Sequence, residues 1–156
     1  MSTRAIAFLK KAGVPFETVA YRHEERGAAF AARATGFPLQ RTVKTLVVAL
    51  DTGDHVLALV PGDRRLDLKK TARIFSAKRA LMADAATAER LTGYLVGGIS
   101  PFETKRRLPV VMDDSVLAGG PVMINAGRRG VMLKMNPREI ADVLRCRTAA
   151  IGRAAP

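Results

Sequence analysis

The sequence has few of the features that mark secreted, membrane-spanning or metal-dependent proteins. Its 156 residues include one cysteine, Cys146, so no internal disulfide can form and a reducing cytoplasm is the expected location. No run of about 18 apolar residues occurs, so no membrane contact is expected. The two histidines, His23 and His55, show no metal-ligand spacing with the cysteine. We therefore expect neither a metal nor any other cofactor.

Several common catalytic motifs are missing as well. The chain has no phosphate-binding GxxxxGK[ST] loop and no dinucleotide-binding GxGxxG segment. The residues around Ser100 lack the second glycine of a GxSxG nucleophile elbow. Cys146 follows the last predicted helix and is expected to be an inert thiol. The residues alone thus indicate no protein nucleophile.

Positive charge is in excess. The chain has 26 Lys+Arg against 14 Asp+Glu, a formal net charge of +12, and 18 of the basic residues are arginines. Because arginine binds phosphates bidentately and stacks on bases, nucleic acid is a plausible partner. The basic residues cluster at Arg64-Arg65, Lys69-Lys70-Arg73, Lys78-Arg79, Lys105-Arg106-Arg107 and Arg128-Arg129. No aromatic RNA-recognition motif lies among them, so binding through the nucleic acid backbone is expected, with solvated helix faces as the alternative.

The apolar pattern indicates one α+β domain with a mixed, largely antiparallel sheet, because hairpins and short helices lack regular βαβ alternation. Helices are predicted after a cap at Ser2 or Thr3 and over residues 28–35, 68–75, 84–92 and 137–144. Strands are predicted over residues 16–21, 43–50, 56–60, 94–96, 108–112, 121–125 and 131–135. We expect the domain to span residues 1–146 and a flexible basic tail to occupy residues 147–156.

Two features are candidates for chemistry. Lys44 lies within an apolar strand, where a buried ammonium group is costly unless it is paired. Alternatively, its aliphatic stem carries the charge to solvent. Gly97 and Gly98 follow the predicted strand 94–96 and allow a ligand to approach the backbone closely. The N–H groups of this loop could hold a carboxylate, a phosphate or an oxyanion, although an ordinary turn has the same sequence pattern.

Five segments, in order, resemble the YbaK branch of the YbaK/ProX family of trans-editing aminoacyl-tRNA deacylases. They are VKTLVV (43–48), LDLKK (66–70), TGYLVGGISP (92–101), RLP (107–109) and GRRG (127–130). The resemblance covers nearly the whole chain. It implies a single α+β domain with a curved, barrel-like sheet flanked by helices. It also implies the acceptor end of tRNA as a partner, prolyl-tRNA synthetase as a second partner in some members, and no role for DNA.

The resemblance assigns roles to individual residues. Lys44 matches the family's essential lysine, which would hold the terminal adenosine or orient the ester by its charge. The N–H groups of the glycine loop would stabilise the ester carbonyl oxygen, so the implied catalytic residues are Lys44, Gly98, Ile99 and Ser100. The implied substrate-binding residues are Tyr21, His23, Phe30, Gly97, Pro101, Gly127 and Arg128.

The members that look most similar hydrolyse Cys-tRNA(Pro), and some hydrolyse Cys-tRNA(Cys). The substrate thiol attacks its own ester, so no protein nucleophile is needed. Relatives act on Ala, Ser or Thr esters. Similar members often have an acidic residue two positions after the GRRG turn, where this chain has Met132. A deacylase for another amino acid, a non-catalytic module that binds tRNA or aminoacyl-adenosine, and a generic basic RNA-binding protein therefore stay open as alternatives.

Overall fold

A computed structural model describes residues 2–154 and shows six α-helices, one short 3-10 helix (Leu39–Arg41) and ten strands in that part of the chain. The helices are α1 (Arg4–Ala12), α2 (Ala28–Thr35), α3 (Leu68–Ile74), α4 (Ala85–Thr92), α5 (Asp114–Leu117) and α6 (Pro137–Leu144). The strands are β1 (Glu17–Ala20), β2 (Val43–Leu50), β3 (His55–Pro61), β4 (Arg64–Leu66), β5 (Ala80–Met82), β6 (Val110–Asp113), β7 (Val122–Arg128), β8 (Val131–Met135), β9 (Arg147–Ala149) and β10 (Gly152–Ala154). No helix in residues 2–154 is long and apolar enough to span a bilayer.

Four of the five predicted helices begin at a side-chain cap; α2, which follows Gly27, has none. Thr3 accepts a hydrogen bond from the backbone N–H of Ile6 at the start of α1. Asp67 and Asp84 cap α3 and α4 in the same way, and Asn136 caps α6 ahead of a proline at its first turn. Each cap satisfies an N–H group that has no partner within its helix, which explains why these helices begin where they do.

The strands form three sheets with mixed but mainly antiparallel pairing, as predicted. The largest sheet has the order β5-β2-β3-β6-β9, in which β3–β6 and β6–β9 are parallel. The second has the order β1-β8-β7, and β10 pairs with β4 in the third. Thr42 forms an isolated bridge to Met123 between the first two sheets. Among the described residues no sheet closes on itself, so the barrel-like shape is not confirmed.

The central hairpin β2–β3 is buried on both faces, which explains its nearly continuous apolar sequence. Val47 belongs to the larger core, which also contains Leu57, Ile124 and Leu133. Val48, the next residue, points to the opposite face and belongs to a second core with Val56, Val60 and Ile151. Residues of β2 therefore reach both sides of the sheet, and residues 43–47 of this strand line the cavity described below.

The C-terminal segment is ordered, so the prediction of a flexible tail is wrong for the residues that the structure describes. Strand β9 pairs in parallel with β6, and β10 pairs antiparallel with β4. Ile151 is fully buried between them. The carboxylate of Asp113 accepts hydrogen bonds from the N–H groups of Ile151 and Gly152, at 2.9 and 2.7 Å. The ordered domain thus extends to residue 154, and residues 155–156 of the predicted tail lie outside the description.

The strand predicted over residues 94–96 is also absent. Tyr94 is buried, and its hydroxyl donates to the carbonyl of Phe102. The backbone N–H groups of Tyr94 and Val96 donate to the side chains of Thr92 and Glu89, at 3.2 and 2.8 Å. These bonds use the polar groups that a strand would have paired with a neighbour. The apolar pattern of this segment therefore reflects the burial of Tyr94 in a loop.

Candidate functional site

A cavity of about 430 Å³ lies against β2. Its walls come from β2, the segment that leads into α2, the start of α4, the loop before Ser100, and strands β7 and β8. The inner wall is apolar and includes Ala31, Val47 and Met132, which are almost completely buried. Arg26 and Met82, which are exposed, lie at the open end. The cavity therefore has an apolar interior and a mouth that carries positive charge.

Lys44 lines this cavity from β2. The side chain is half-buried, and its Nζ donates a hydrogen bond to the backbone carbonyl of Arg64 on β4. Burial lowers the pKa of Lys44; the charge of Asp63 opposes this shift and that of Arg65 adds to it. The structure combines parts of both interpretations, because Lys44 is only half-buried and its ammonium group has a polar partner in a backbone carbonyl.

The glycine loop is divided between the cavity and the protein interior. Gly97 and Ile99 line the cavity. The N–H of Gly98 donates to the carbonyl of Leu95 at 2.8 Å. The Ser100 hydroxyl is buried and accepts a hydrogen bond from the Phe102 N–H at 3.2 Å.

Among residues 2–154, the N–H groups of Gly97 and Ile99 have no hydrogen-bond partner, so they are the loop donors left for a ligand. Gly98, Ser100 and Pro101, which the sequence also singled out, are buried and lie outside the cavity lining.

The loop approaches the β7–β8 turn so closely that glycine is needed at residue 98. A Cβ atom added there would lie 2.9 Å from the backbone nitrogen of Arg129 and 3.0 Å from the carbonyl carbon of Arg128. Gly97 has a φ of +94°, a conformation that other residues rarely adopt. The Arg129 Nε donates to the carbonyl of Val96 at 2.8 Å and fastens the loop to the turn. These contacts fix the cavity wall that Gly97 and Ile99 provide.

Asn125 connects the loop, the turn and the cavity, although the sequence analysis did not single it out. Its Nδ2 donates to the carbonyl of Gly97 at 3.3 Å. Its Oδ1 accepts from the N–H groups of Gly127 and Arg128 at 2.8 and 3.1 Å, where the β7–β8 register shifts. A polar residue at the end of an apolar strand and directly before a glycine turn was the available signal. Arg26 was missed too, because nothing in its local sequence marks it.

The remaining predicted site residues lie around the cavity rather than all within it. Tyr21 lines the cavity, and Phe30 packs behind it with ring centroids 6.2 Å apart. His23 is exposed and lies beside Gly130, where an added Cβ would be 2.6 Å from its Nδ1. Gly127 packs against the ring of Tyr94. The backbone N–H of Arg128 is bonded to Asn125.

Groups suited to other chemistries are not assembled here. In the described part of the chain, no three His, Cys, Asp or Glu side chains group together as metal ligands. Burial raises the pKa of the Cys146 thiol to about 12, so it stays protonated at neutral pH, as expected of an inert thiol.

Comparisons with known proteins agree on one family. The family model of the aminoacyl-tRNA editing domain matches residues 23–143. A protein of Enterococcus faecalis provisionally named Cys-tRNA(Pro)/Cys-tRNA(Cys) deacylase EbsC is 29% identical, over 90% of this chain and 87% of the relative. The multifunctional Ser/Thr-tRNA deacylase ProXp-y of Escherichia coli is 32% identical, over 91% and 85%. A crystal structure provisionally named as a trans-editing enzyme for prolyl-tRNA synthetase is 26% identical, with a TM-score of 0.88 over 99% of both chains.

Proposed function

Because the chain belongs to the aminoacyl-tRNA editing domain family, we propose that it is a trans-editing deacylase that hydrolyses the aminoacyl ester of mischarged tRNA. The preferred substrate in this proposal is Cys-tRNA(Pro), with Cys-tRNA(Cys) as a second substrate. The name of the Enterococcus faecalis relative supports this choice of amino acid. The reaction would take place in the cytoplasm, where tRNA is aminoacylated.

The observation that carries the proposal is a cavity with charge-stabilising groups but no conventional nucleophile. No Ser, Cys or His is among the described residues that line it. Lys44 supplies a positive charge, and Gly97 and Ile99 supply N–H donors without partners. Such groups stabilise a developing oxyanion, which is the main electrostatic task in ester cleavage. Thr42 and Thr45 line the cavity too, but no His, Asp or Glu among the described residues lines it to act as their base, so the proposal takes the nucleophile from the substrate or from water.

For a cysteinyl ester the substrate provides the nucleophile. The thiol sulfur attacks the ester carbonyl carbon, the bond from that carbon to the ribose oxygen breaks, and the thiol proton ends on the ribose hydroxyl. Water then opens the four-membered thiolactone and yields free cysteine. In this scheme the protein holds the ester in position and stabilises the carbonyl oxygen, through Lys44 and the N–H groups of Gly97 and Ile99. The buried Gly98, Ser100 and Pro101 would act by supporting that loop.

A second candidate substrate class is Ser or Thr esters. The Escherichia coli relative is named for both amino acids and is the more similar in identity. A hydroxyl is a weaker internal nucleophile than a thiol, so these esters would need an attacking water. A non-catalytic module is a third candidate, favoured by the apolar Met132 at a position where similar members of the family often have an acid. Such a module would bind the acceptor end without cleaving the ester.

The partners follow from the substrate. The acceptor end of tRNA would enter the cavity, and the basic clusters would contact its phosphates. Prolyl-tRNA synthetase is a proposed second partner, supported by the name of the crystal structure that shares this fold. A mixture of labelled tRNA, synthetase and this chain, resolved by size, tests whether a ternary complex forms.

A deacylation panel tests the activity. tRNA(Pro) charged with Cys, Ala, Ser, Thr or Pro and Cys-tRNA(Cys) are incubated with wild type, with Lys44→Ala and with Lys11→Ala, a matched change at an exposed lysine. We expect rapid loss of Cys and a decrease of about 100-fold or more in Lys44→Ala, because the charge near the oxyanion is gone. The Lys11→Ala variant should match wild type. Full activity in Lys44→Ala would contradict the assigned site, and tRNA binding without cleavage of any ester would favour the binding module.

A further inference from the structure

The charges around the cavity are of one sign. Lys44 and Arg26 are the charged side chains among the described lining residues, and no Asp or Glu lines the cavity. An aminoacyl ester ends in an α-amino group, which is an ammonium ion at low pH. A cation in this cavity would face two like charges and no opposite one among the lining side chains, which disfavours the charged form of the amine; Asp63 and Arg65, whose opposed charges act on Lys44, lie outside the lining.

The neutral polar groups of the cavity do not replace the missing acid. The Asn125 side-chain oxygen already accepts two backbone N–H bonds, and its amide nitrogen donates to the carbonyl of Gly97. The Thr42 hydroxyl donates to the carbonyl of Pro38 at 2.9 Å. The Thr45 hydroxyl, which has no partner within residues 2–154, and the Tyr21 hydroxyl are the other neutral acceptors of the lining side chains. The hydrogen-bond acceptors that an ammonium group could reach in the lining are therefore few and uncharged.

Met132 occupies the inner wall where an acceptor would be most effective. It lies opposite Asn125 in the β7–β8 register, with its Sδ 3.9 Å from the Asn125 Nδ2, and is 4% exposed. A thioether is only a weak acceptor and carries no charge. Met132 packs with Ala31 and Met123 in an apolar cluster. The inner end of the cavity thus suits an uncharged group.

We propose that the cavity recognises the aminoacyl end without its ammonium charge, so that esters with a neutral or acylated α-amine bind at least as well as those with a protonated amine. Met132 is the residue that determines this preference. The inference rests on the proposed function, because it assumes that an aminoacyl-adenosine end occupies the cavity. It adds a specificity that the family and the names of the relatives do not give.

The first test measures binding rather than turnover. The probes are 3′-seryl-amido-3′-deoxyadenosine, which cannot be hydrolysed as an ester, and its N-acetyl derivative. We expect the N-acetyl probe to bind wild type within about 3-fold of the free amine near pH 9, about one unit above the ordinary α-amino pKa, where the amine is largely neutral, and more tightly than the free amine near pH 6. A loss of about 10-fold or more on acetylation at both pH values would overturn the inference.

Variants test the assignment to Met132. Met132→Asp places a carboxylate at the inner wall and should reverse the preference, so that the free amine binds about 10-fold more tightly than its N-acetyl form. Met132→Leu keeps the apolar volume and should behave like wild type. Arg26→Glu places an anion at the exposed mouth, where folding is not at risk, and should shift the preference in the same direction by a smaller factor. An unchanged preference in both folded acidic variants would contradict the proposal.

Turnover of Cys-tRNA(Pro) and N-acetyl-Cys-tRNA(Pro) then separates this inference from the proposed function. Hydrolysis of both esters supports both proposals. Hydrolysis of the free-amine ester alone, together with weak binding of the N-acetyl probe, supports the deacylase and overturns the inference. Binding of both probes without hydrolysis of any ester keeps the inference and removes the deacylase. If neither probe binds, the site assignment and the inference both fail.

Discussion

The cavity and the C-terminal clamp, where Asp113 binds residues 151–152, differ in whether their buried polar groups have hydrogen-bond partners. The Asp113 carboxylate is 2% exposed and accepts bonds from the N–H and hydroxyl of Ser115 and from two N–H groups of the last loop. In the cavity wall, the buried Thr45 hydroxyl has no partner within residues 2–154. A fully bonded polar group stabilises the fold, whereas an unbonded one costs stability unless a ligand completes it. The difference separates a region whose polar groups stabilise the fold from the cavity that we propose for binding.

Substitution at the clamp should have the largest effect on stability. In Asp113→Asn the charge is lost and one of the two acceptor oxygens becomes a donor that faces backbone N–H groups. We expect the free energy of unfolding to fall by about 3 kcal/mol, because a buried, charge-assisted network is broken. Urea denaturation measures the change. Asp114→Asn makes the same change at an exposed neighbour and should cost less than about 0.5 kcal/mol. Equal losses in the two variants would contradict the clamp.

The clamp also predicts a pH dependence. Burial acts to raise the pKa of Asp113, but hydrogen bonds from Ser115, Gly152 and Ile151 outweigh it and hold the pKa below its ordinary value. A lowered folded-state pKa means that this contribution is complete above the unfolded value of about 4 and is lost as the pH falls through the folded value. The difference in stability between wild type and Asp113→Asn should therefore shrink below about pH 4. A difference that stays constant down to about pH 2 would contradict the lowered pKa.

Several features of the cavity and of the fold could be predicted from local sequence, whereas the C-terminal clamp could not. Lys44 and the pair Gly97-Gly98 were found because a lysine in an apolar strand and paired glycines are locally unusual, and they do lie at or beside the cavity. The capped helices and the β2–β3 hairpin were found because caps and turns are local signals. Such features depend on neighbours in the sequence, so a single sequence is enough to predict them.

What the sequence did not reveal depends on distant contacts. The order of the C-terminal segment comes from Asp113, which is 38 positions from Ile151 in the chain. The division of the glycine loop comes with the packing of Gly98 against the backbone of Arg128 and Arg129, which are 30 and 31 positions away. Asn125 acts through Gly97, 28 positions away. In each case the deciding partner is remote in sequence, and the local pattern alone fits several structures.

A substitution at Gly98 should have an intermediate effect on stability. It tests whether the glycine loop must contact the β7–β8 turn. In Gly98→Ala the added Cβ would lie 2.9 Å from the Arg129 nitrogen, a backbone atom, so the loop or the turn must shift. We expect the free energy of unfolding to fall by about 1–2 kcal/mol. Ester hydrolysis should slow by about 10-fold, because Gly97 and Ile99 move with the loop. Gly120→Ala, where nothing lies within 4 Å of the added atom, is the control. Normal activity in Gly98→Ala would show that the contact does not position the site.

The smallest effect on stability, and the sharpest test of the comparison, is expected at Thr45. Thr45→Val keeps the branched shape and removes the unpartnered hydroxyl, so stability should stay constant or rise by up to about 1 kcal/mol. Thr71→Val removes a hydroxyl that donates to the Asp67 carbonyl at 2.8 Å and should lower stability by about 1 kcal/mol. Binding of the seryl amide probe should weaken about 3- to 10-fold in Thr45→Val and stay unchanged in Thr71→Val. If Thr45→Val were as destabilising as Thr71→Val and bound the probe normally, its hydroxyl would belong to the fold, and the contrast between the two regions would fail.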